Sequence, residues 1–190
     1  MTNLKVGCVV MAAGLSTRFG QNKLLVELDG RSLISRALDA IPSDKLDRVV
    51  VVTCFPEIQA LAEAGGLEYV WNSRPEDGIS LTIRLGLKRL RDFDAVMFMT
   101  SDQAWLSRTV LSAMVDFYCG NPGNIVSMSY GGVRGNPCIF PSVFFPELLA
   151  LRGDTGGSAV IRRHEELLVL FEAGSANELK DIDIPSDIIT

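Results

Sequence analysis

Histidine is almost absent from this sequence: His164 is the one imidazole in 190 residues. Nucleophile systems of the Ser-His-Asp or Cys-His type depend on a well-placed imidazole. His164 stands in the polar stretch Arg162-Arg163-His164-Glu165-Glu166, which reads as a solvated helix face. Cysteine is scarce too. Cys8, Cys54, Cys119 and Cys138 are scattered without C-x-x-C spacing. They predict small buried hydrophobes in a reducing cytosol rather than metal ligands. Basic tracts are missing: 18 Lys and Arg against 23 Asp and Glu leave a net charge of −5, and no Arg-rich stripe occurs. Binding a nucleic-acid backbone needs clustered cations, so nucleic acid is disfavoured as the main partner. A small phosphorylated ligand needs only a few local cations and is not disfavoured. Long apolar runs are also lacking. The longest early one, Val6–Ala13, is broken by Gly7 and Cys8 and falls far short of the roughly 20 residues that span a bilayer. No basic region with a small-residue cleavage site precedes it, so neither signal peptide nor membrane association is expected. A soluble, cytoplasmic protein is the expectation.

What is present is a foldable chain. With 47% hydrophobic and 22% charged residues it can bury a core, and its length fits one domain, residues 1–190. Strand-like and helix-like segments alternate. Val6–Met11 is a β-branched run entering Ala12-Ala13-Gly14, Arg48–Thr53 is a second, and Leu67–Val70, Ala95–Thr100, Ile125–Ser129 and Leu167–Phe171 follow. Between them lie helical patterns at Ser32–Ala40, Glu57–Ala64 (closed by Gly65-Gly66), Ser80–Leu90, Ser107–Tyr118, Pro146–Leu151 and Gly156–Arg163. In Ser80–Leu90, Ile83, Leu87 and Leu90 share one face while Arg84, Lys88 and Arg91 share the other. This order predicts a Rossmann-like α/β domain: a mostly parallel, doubly wound sheet with helices on both faces. Ligands bind such sheets at the carboxyl ends of strands, so informative residues should follow each strand.

The first such loop is Met11-Ala12-Ala13-Gly14-Leu15-Ser16-Thr17-Arg18-Phe19-Gly20-Gln21-Asn22-Lys23. Small residues at 12 to 14 let backbone N–H groups approach an anion closely. Ser16 and Thr17 offer hydroxyl donors, and Arg18 and Lys23 add two cations. The set suits a triphosphate, with the cations neutralising a departing pyrophosphate. It is neither a Walker A loop, since Gln21-Asn22 follow Gly20, nor a G-x-G-x-x-G fingerprint. The second loop, Ser101-Asp102-Gln103, follows Ala95–Thr100. A carboxylate there, facing a phosphate loop, is a natural Mg²⁺ ligand, because magnesium takes one or two carboxylates and fills its other positions with phosphate oxygens and water. Near the C-terminus, alternation puts Asp181 and Asp183 on one side of an extended segment, so both can turn towards the site; a solvated tail accounts for the same charges.

The pattern A-A-G-x-S-x-R-F-G-x-x-K-L-L resembles the signature loop of the MobA-like NTP transferases, most closely the molybdenum cofactor cytidylyltransferase (MocA-like) branch. The resemblance implies that the Ala12-Ala13-Gly14 backbone binds nucleotide and that Arg18 and Lys23 hold the β- and γ-phosphates. Its members carry D-Q-P where this chain has Asp102-Gln103-Ala104, and there the Asp holds the metal. The segment Asp181-Ile182-Asp183-Ile184-Pro185-Ser186-Asp187 is similar to the family's D-I-D-T-P-x-D ending, with Ile184 in place of Thr, and implies that Asp181 or Asp183 completes the metal shell. Asn72 through Leu81 resembles an N-x(5)-G-x-S-L pattern that helps form the nucleotide pocket, which brings in Asn72, Gly78 and Ser80. Ser80 also sits at an expected helix N-terminus, where exposed amides attract an anion and where plain capping chemistry is an equal reading. Val133-Arg134-Gly135-Asn136-Pro137-Cys138-Ile139-Phe140 and Leu151-Arg152-Gly153-Asp154-Thr155-Gly156-Gly157-Ser158 are similar to the family's R-G-x-P-x-x-F and L-x-G-D-x-G segments. Read as glycine-rich turns on the acceptor side of a cleft, they offer Arg134 and Gly135 to an acceptor phosphate and Asp154 to the acceptor or its cation. Many relatives carry Ala-Arg where this chain has Gly157-Ser158.

The function implied is transfer of a nucleoside monophosphate from an NTP to a phosphorylated acceptor, with Mg²⁺ or Mn²⁺ and loss of pyrophosphate. CTP leads as donor and the molybdenum–molybdopterin cofactor as acceptor, with transient contact to a molybdoenzyme or cofactor-delivery protein. Met11-Ala12-Ala13-Gly14 departs from the L-A-G-G typical of guanylyl transfer and leans towards cytidylyl transfer. Guanylyl transfer, transfer to sugar or methylerythritol phosphates, and a non-catalytic cofactor-binding accessory role remain alternatives. A nucleotide-sugar glycosyltransferase would be expected to show D-x-D after the central strand, and an oxidoreductase the glycine fingerprint; both are missing.

Overall fold

Four successive valines, Val49 to Val52, are all buried, as a strand in the middle of a parallel sheet must be when helices cover both its faces. In the computed structural model, which describes residues 4–17 and 19–188, this run is β4 of a mixed sheet. In chain order the strands and helices are β1 (Val6–Ala12), β2 (Glu27–Leu28), β3 (Arg31–Ser32), α1 (Leu33–Ala40), β4 (Arg48–Thr53), α2 (Pro56–Ala64), β5 (Glu68–Trp71), α3 (Ile79–Arg89), β6 (Ala95–Thr100), α4 (Arg108–Gly120), β7 (Ile125–Tyr130), β8 (Val133–Pro141), α5 (Phe145–Ala150), α6 (Ser158–Ile161) and β9 (Leu168–Glu172). Seven strands form one sheet in the order β5-β4-β1-β6-β8-β7-β9, and β2 and β3 make a separate ribbon. All neighbouring pairs in the large sheet are parallel except the two made by β8. The expected doubly wound α/β architecture is therefore what forms. No helix among the described residues is long and apolar enough to cross a membrane.

Alternation along the strands divides the core. Cys8, Val10 and Met97 pack with Ile34 of α1, Ile58 of α2 and Met114 of α4 on one face. Val9, Val50 and Phe98 pack with Leu87 of α3, Leu148 of α5 and Ile161 of α6 on the other. Burial pushes the Cys8 thiol up to about 12, so it serves as the expected small hydrophobe. Cys138 is buried likewise, whereas Cys119 is exposed.

Three local expectations are corrected. Val133–Phe140 is not a set of turns but most of β8, antiparallel between β6 and β7. The pairing of β7 and β8 skips between Ser127 and Ser129, and that irregularity accommodates Gly135, Asn136 and Pro137, which a regular ladder tolerates poorly. The helix expected over Gly156–Arg163 is only α6, Ser158–Ile161. His164 lies after it rather than on a solvated helix face. Its Nε2 is 2.6 Å from Glu147 Oε1 and its ring packs 4.9 Å from that of Phe144, so it fastens α6 to α5.

Helix α3 lies close against the sheet because residue 86 has no side chain. A β-carbon on Gly86 would come within 2.5 Å of Val9 Cγ1 and 3.2 Å of Val52 Cγ2. A β-carbon on Gly120, at the end of α4, meets nothing within 4 Å. Gly86→Ala should therefore destabilise by up to about 2 kcal/mol, an overpacking cost of about 1–3 kcal/mol less roughly 1 kcal/mol of helix propensity. Gly120→Ala should be neutral or stabilising by up to about 1 kcal/mol. Urea unfolding of the two variants checks this, and equal midpoints would contradict the packing account.

Candidate functional site

The strand order turns at β1, with β4 and β5 to one side and β6 to the other. A crevice opens at such a point, beyond the carboxyl ends of the strands. Met11 of β1 stands opposite Thr100 of β6, so the loops that follow leave from the same edge. Ser101 Oγ donates to the Met11 carbonyl at 3.0 Å and ties the two loops together. Between them lies a cleft of about 540 Å³, lined by Ala13, Gly14, Ser16, Thr17 and Lys23 on one side, by Ser101 and Asp102 on its floor, and by Glu76, Gly78, Thr82 and Asp154 opposite.

The phosphate-loop candidate is fixed at both ends. Ala12 and Ala13 are buried. Ser16 takes a left-handed φ of 52°, and its carbonyl accepts the Phe19 N–H at 2.8 Å. Phe19 then buries its ring with Leu33, Ala104 and Ile182. A β-carbon on Gly14 would meet no atom within 4 Å, so packing does not demand glycine there; an approaching ligand would. Arg18 lies outside the described residues. Asn22 Oδ1 accepts the Leu24 N–H at 3.1 Å, starting the short 3₁₀ turn that carries Lys23.

Lys23 is the meeting point. Its Nζ donates to Asp102 Oδ2 at 2.7 Å and to Asp183 Oδ1 at 3.0 Å. Burial opposes its charge, but hydrogen bonds and the charges of Asp102 and Asp183 outweigh burial and raise its pKa. The other Asp102 oxygen, Oδ1, is buried without a hydrogen-bond partner. The C-terminal segment is no loose tail: Ile182 is fully buried, and its N–H donates to the Asp102 carbonyl at 3.0 Å. Asp183 and Asp181 flank that anchor. Partial desolvation, then the charges of Asp102 and Asp183, push the Asp181 carboxyl up to about 6, with Lys23 opposing. Asp181 is exposed, so the like charges carry more weight here than loss of water. Asp187 is structural: it accepts the Ile184 and Asp183 N–H groups, which hold its pKa down.

The remaining candidates fall into two sets. Gly78 and Asp154 line the cleft. Asn72, Ser80 and Gln103 stand one layer back. Asn72 is buried, accepting the Arg74 N–H at 3.0 Å and donating to Thr82 Oγ1 at 3.3 Å. The Ser80 N–H is taken by the Gly153 carbonyl at 3.2 Å rather than open to an anion, and its hydroxyl is buried without a partner. Gln103 accepts from Thr100 Oγ1 and donates at 3.0 Å to the Asn136 carbonyl, a strut between β6 and β8. Arg134 and Gly135, on β8, are outside the main cleft. Arg134 Nη1 reaches Ser158 Oγ at 3.5 Å, beside a hollow of about 80 Å³ that shares Met11 and Ile79 with the cleft. Gly135 packs against Leu179. The sequence reading missed Glu76, Thr82 and Ile182. Ile79 and Thr82 share a helix face by their i, i+3 spacing, and that signal was available. Nothing in the sequence marked Ile182 as an anchor.

Comparison with known proteins bears on this geometry. The model of the MobA-like NTP transferase domain matches residues 8–167. The purine catabolism protein PucB of Bacillus subtilis (strain 168) is 29% identical over 191 residues, covering 94% of this chain and 92% of that protein. A nucleotidyl transferase from Methanothermobacter thermautotroptrophicus superposes with a TM-score of 0.81 at 21% identity, over 97% of this chain and 94% of its own. Rv0371c of Mycobacterium tuberculosis H37Rv gives 0.79 at 22% identity, over 96% and 95%; a further structure of it is a complex with manganese, at 0.71 and 20% identity over 89% and 88%.

The cleft wall depends on Gly78. Its φ is +84°, and a β-carbon there would lie 2.5 Å from the Gly153 carbonyl atoms and 2.7 Å from the Asp154 nitrogen. Gly78→Ala combines backbone strain with a clash against main chain, so it should lower stability by at least about 1–3 kcal/mol. Thermal unfolding checks this; a wild-type melt would show that the two loops are free to part.

Proposed function

The chain belongs to the MobA-like NTP transferase family, and we propose that it moves CMP from CTP onto a phosphorylated acceptor, the molybdenum–molybdopterin cofactor, releasing pyrophosphate. The observation that carries the reading is the juxtaposition of an open glycine loop with Asp102 across one cleft. The cleft is of a size usual for small-molecule sites, and its polar groups are phosphate and metal binders rather than nucleophiles.

The residues present fit a divalent cation. Asp102 Oδ1 is a buried carboxylate oxygen with no donor on it, and Asp102 and Asp183 already converge on one positive charge. Hard carboxylate oxygens in that number suit Mg²⁺ or Mn²⁺. Asp102 and Asp183 would hold the ion, with Asp181 beside them. When bound, such an ion neutralises phosphate charge and polarises the phosphoryl group under attack.

Everything else is positioning by the chain. The backbone of Ala12, Ala13 and Gly14 and the Ser16 hydroxyl receive the phosphates, and Gly14 gives them room. Lys23, with Arg18, stabilises the charge on departing pyrophosphate. Gly78 and Thr82 form the wall against which the nucleoside lies, with Asn72, Ser80 and Gln103 supporting that wall and floor from behind. Arg134, Gly135 and Asp154 orient the acceptor, whose phosphate oxygen attacks the α-phosphorus in line. Such a transfer needs alignment and charge stabilisation more than covalent help, in keeping with a site that uses no imidazole. The choice of CTP leans on Met11-Ala12-Ala13-Gly14. Residence in the cytosol and transient contact with a molybdoenzyme or delivery protein belong to the same reading.

Two measurements test it. In a thermal-shift panel of NTPs with Mg²⁺, CTP should stabilise most, by about 2.7 kcal/mol at 100 times its Kd. A larger effect of GTP would favour guanylyl transfer, and no NTP effect together with no pyrophosphate release would favour the non-catalytic accessory role. Asp102→Ala should lower pyrophosphate release by at least about 10²-fold with circular dichroism unchanged. Near wild-type turnover would remove Asp102 from the mechanism.

A further inference from the structure

We infer that Lys23 is the resident counter-ion of the metal site, so that metal alone binds poorly and binds well only when a triphosphate draws the lysine away. The inference rests on the nucleotidyl-transfer reading and adds to it the order in which the site fills. Lys23 Nζ sits between Asp102 Oδ2 and Asp183 Oδ1, at 2.7 and 3.0 Å. Asp102 and Asp183 are also the carboxylates that would hold a divalent ion, and the free Asp102 Oδ1 belongs to the same carboxylate. An ammonium and a dication cannot share two carboxylates at such distances without strong repulsion, so one must leave. The lysine can: its charge rides on a flexible four-carbon stem, and its neighbour Gly14 bounds open space in the same cleft. With no phosphate in the cleft, Asp102 and Asp183 are its available anions. Once phosphates lie along the loop, the ammonium has a new partner, and Asp102 turns from ion-pair acceptor to metal ligand.

The carboxylates need this lysine when no metal is present. Asp102 and Asp183 converge on one ammonium, and Asp181 stands two residues from Asp183 on the other side of Ile182. Ile182 cannot relax away from them, because it is buried and hydrogen-bonded to the Asp102 main chain. The C-terminal segment thus keeps the acidic site assembled, and Lys23 neutralises it until substrate arrives. Thermodynamic linkage makes the effect reciprocal: whatever factor nucleotide adds to metal affinity, metal adds to nucleotide affinity.

The test is a Mn²⁺ titration followed by electron paramagnetic resonance, with no nucleotide present. Wild type should bind weakly, and Lys23→Met about tenfold or more tightly, within the range typical of coupled sites. If the Met variant is unfolded by circular dichroism, Lys23→Gln, which keeps an N–H donor, takes its place and should behave alike. Lys180→Met controls for loss of a nearby charge, since Lys180 lies next to Asp181 in sequence and its ammonium stands over the Trp105 ring; it should change affinity by less than about threefold. Unchanged or weaker Mn²⁺ binding in the Lys23 variants, or an equal gain in Lys180→Met, would overturn the inference. Pyrophosphate release by wild type separates the two ideas. Its presence with no gain in Lys23→Met leaves the transferase reading intact and removes the counter-ion role, whereas its absence with every NTP removes the reading itself.

Discussion

One ammonium holds the candidate site together. Lys23 comes from the loop after β1, Asp102 from the end of β6 and Asp183 from the C-terminal segment, and the two carboxylates meet at the lysine Nζ. Exposed ion pairs contribute little to a fold. This one is largely withdrawn from water, with side-chain exposures of 14% for Lys23 and 18% for Asp102, and removing one partner of such a pair leaves charge without compensation. Its significance is chemical as much as structural, because it gathers carboxylates around a cation at the cleft between the two loops.

The sheet makes that meeting possible. Parallel pairing of β1 with β6 brings both loops to one edge, and the reversal of strand order at β1 leaves a crevice between them. Around this, the second layer is built from polar residues that do not face the ligand space. Gln103 braces the Asp102 loop against β8, Asn72 braces Thr82, and the Gly153 carbonyl holds the start of α3. Gly78 and Gly86 belong to the same economy of space: each sits where main chain or helix must come closer than a side chain permits.

Much of this was legible in the sequence, and the exceptions have physical causes. Valine runs, helical apolar faces and the strand-end rule located β1, β4, β6, the first loop and Asp102, because these signals are local. The β8 strand was not legible, since Arg134-Gly135-Asn136-Pro137 has turn composition and forms a strand only where the β7 ladder skips. Ser80 and Asn72 resemble ligands in sequence, yet buried polar residues also satisfy main chain, and one sequence does not separate the two uses. The ion pairs join residues 79 and 160 positions apart, a separation at which composition and periodicity carry no information. The anchoring of the C-terminal segment by Ile182 was hidden for the same reason.

The most direct test of the central claim is anomalous diffraction from crystals grown with Mn²⁺ and a non-hydrolysable CTP analogue. The account predicts a manganese peak bonded to an Asp102 carboxylate oxygen, with the triphosphate lying along Ala13 and Gly14 and Lys23 turned from Asp102 to a phosphate. A nucleotide bound at another edge of the sheet, or manganese held by residues away from Asp102, would contradict it.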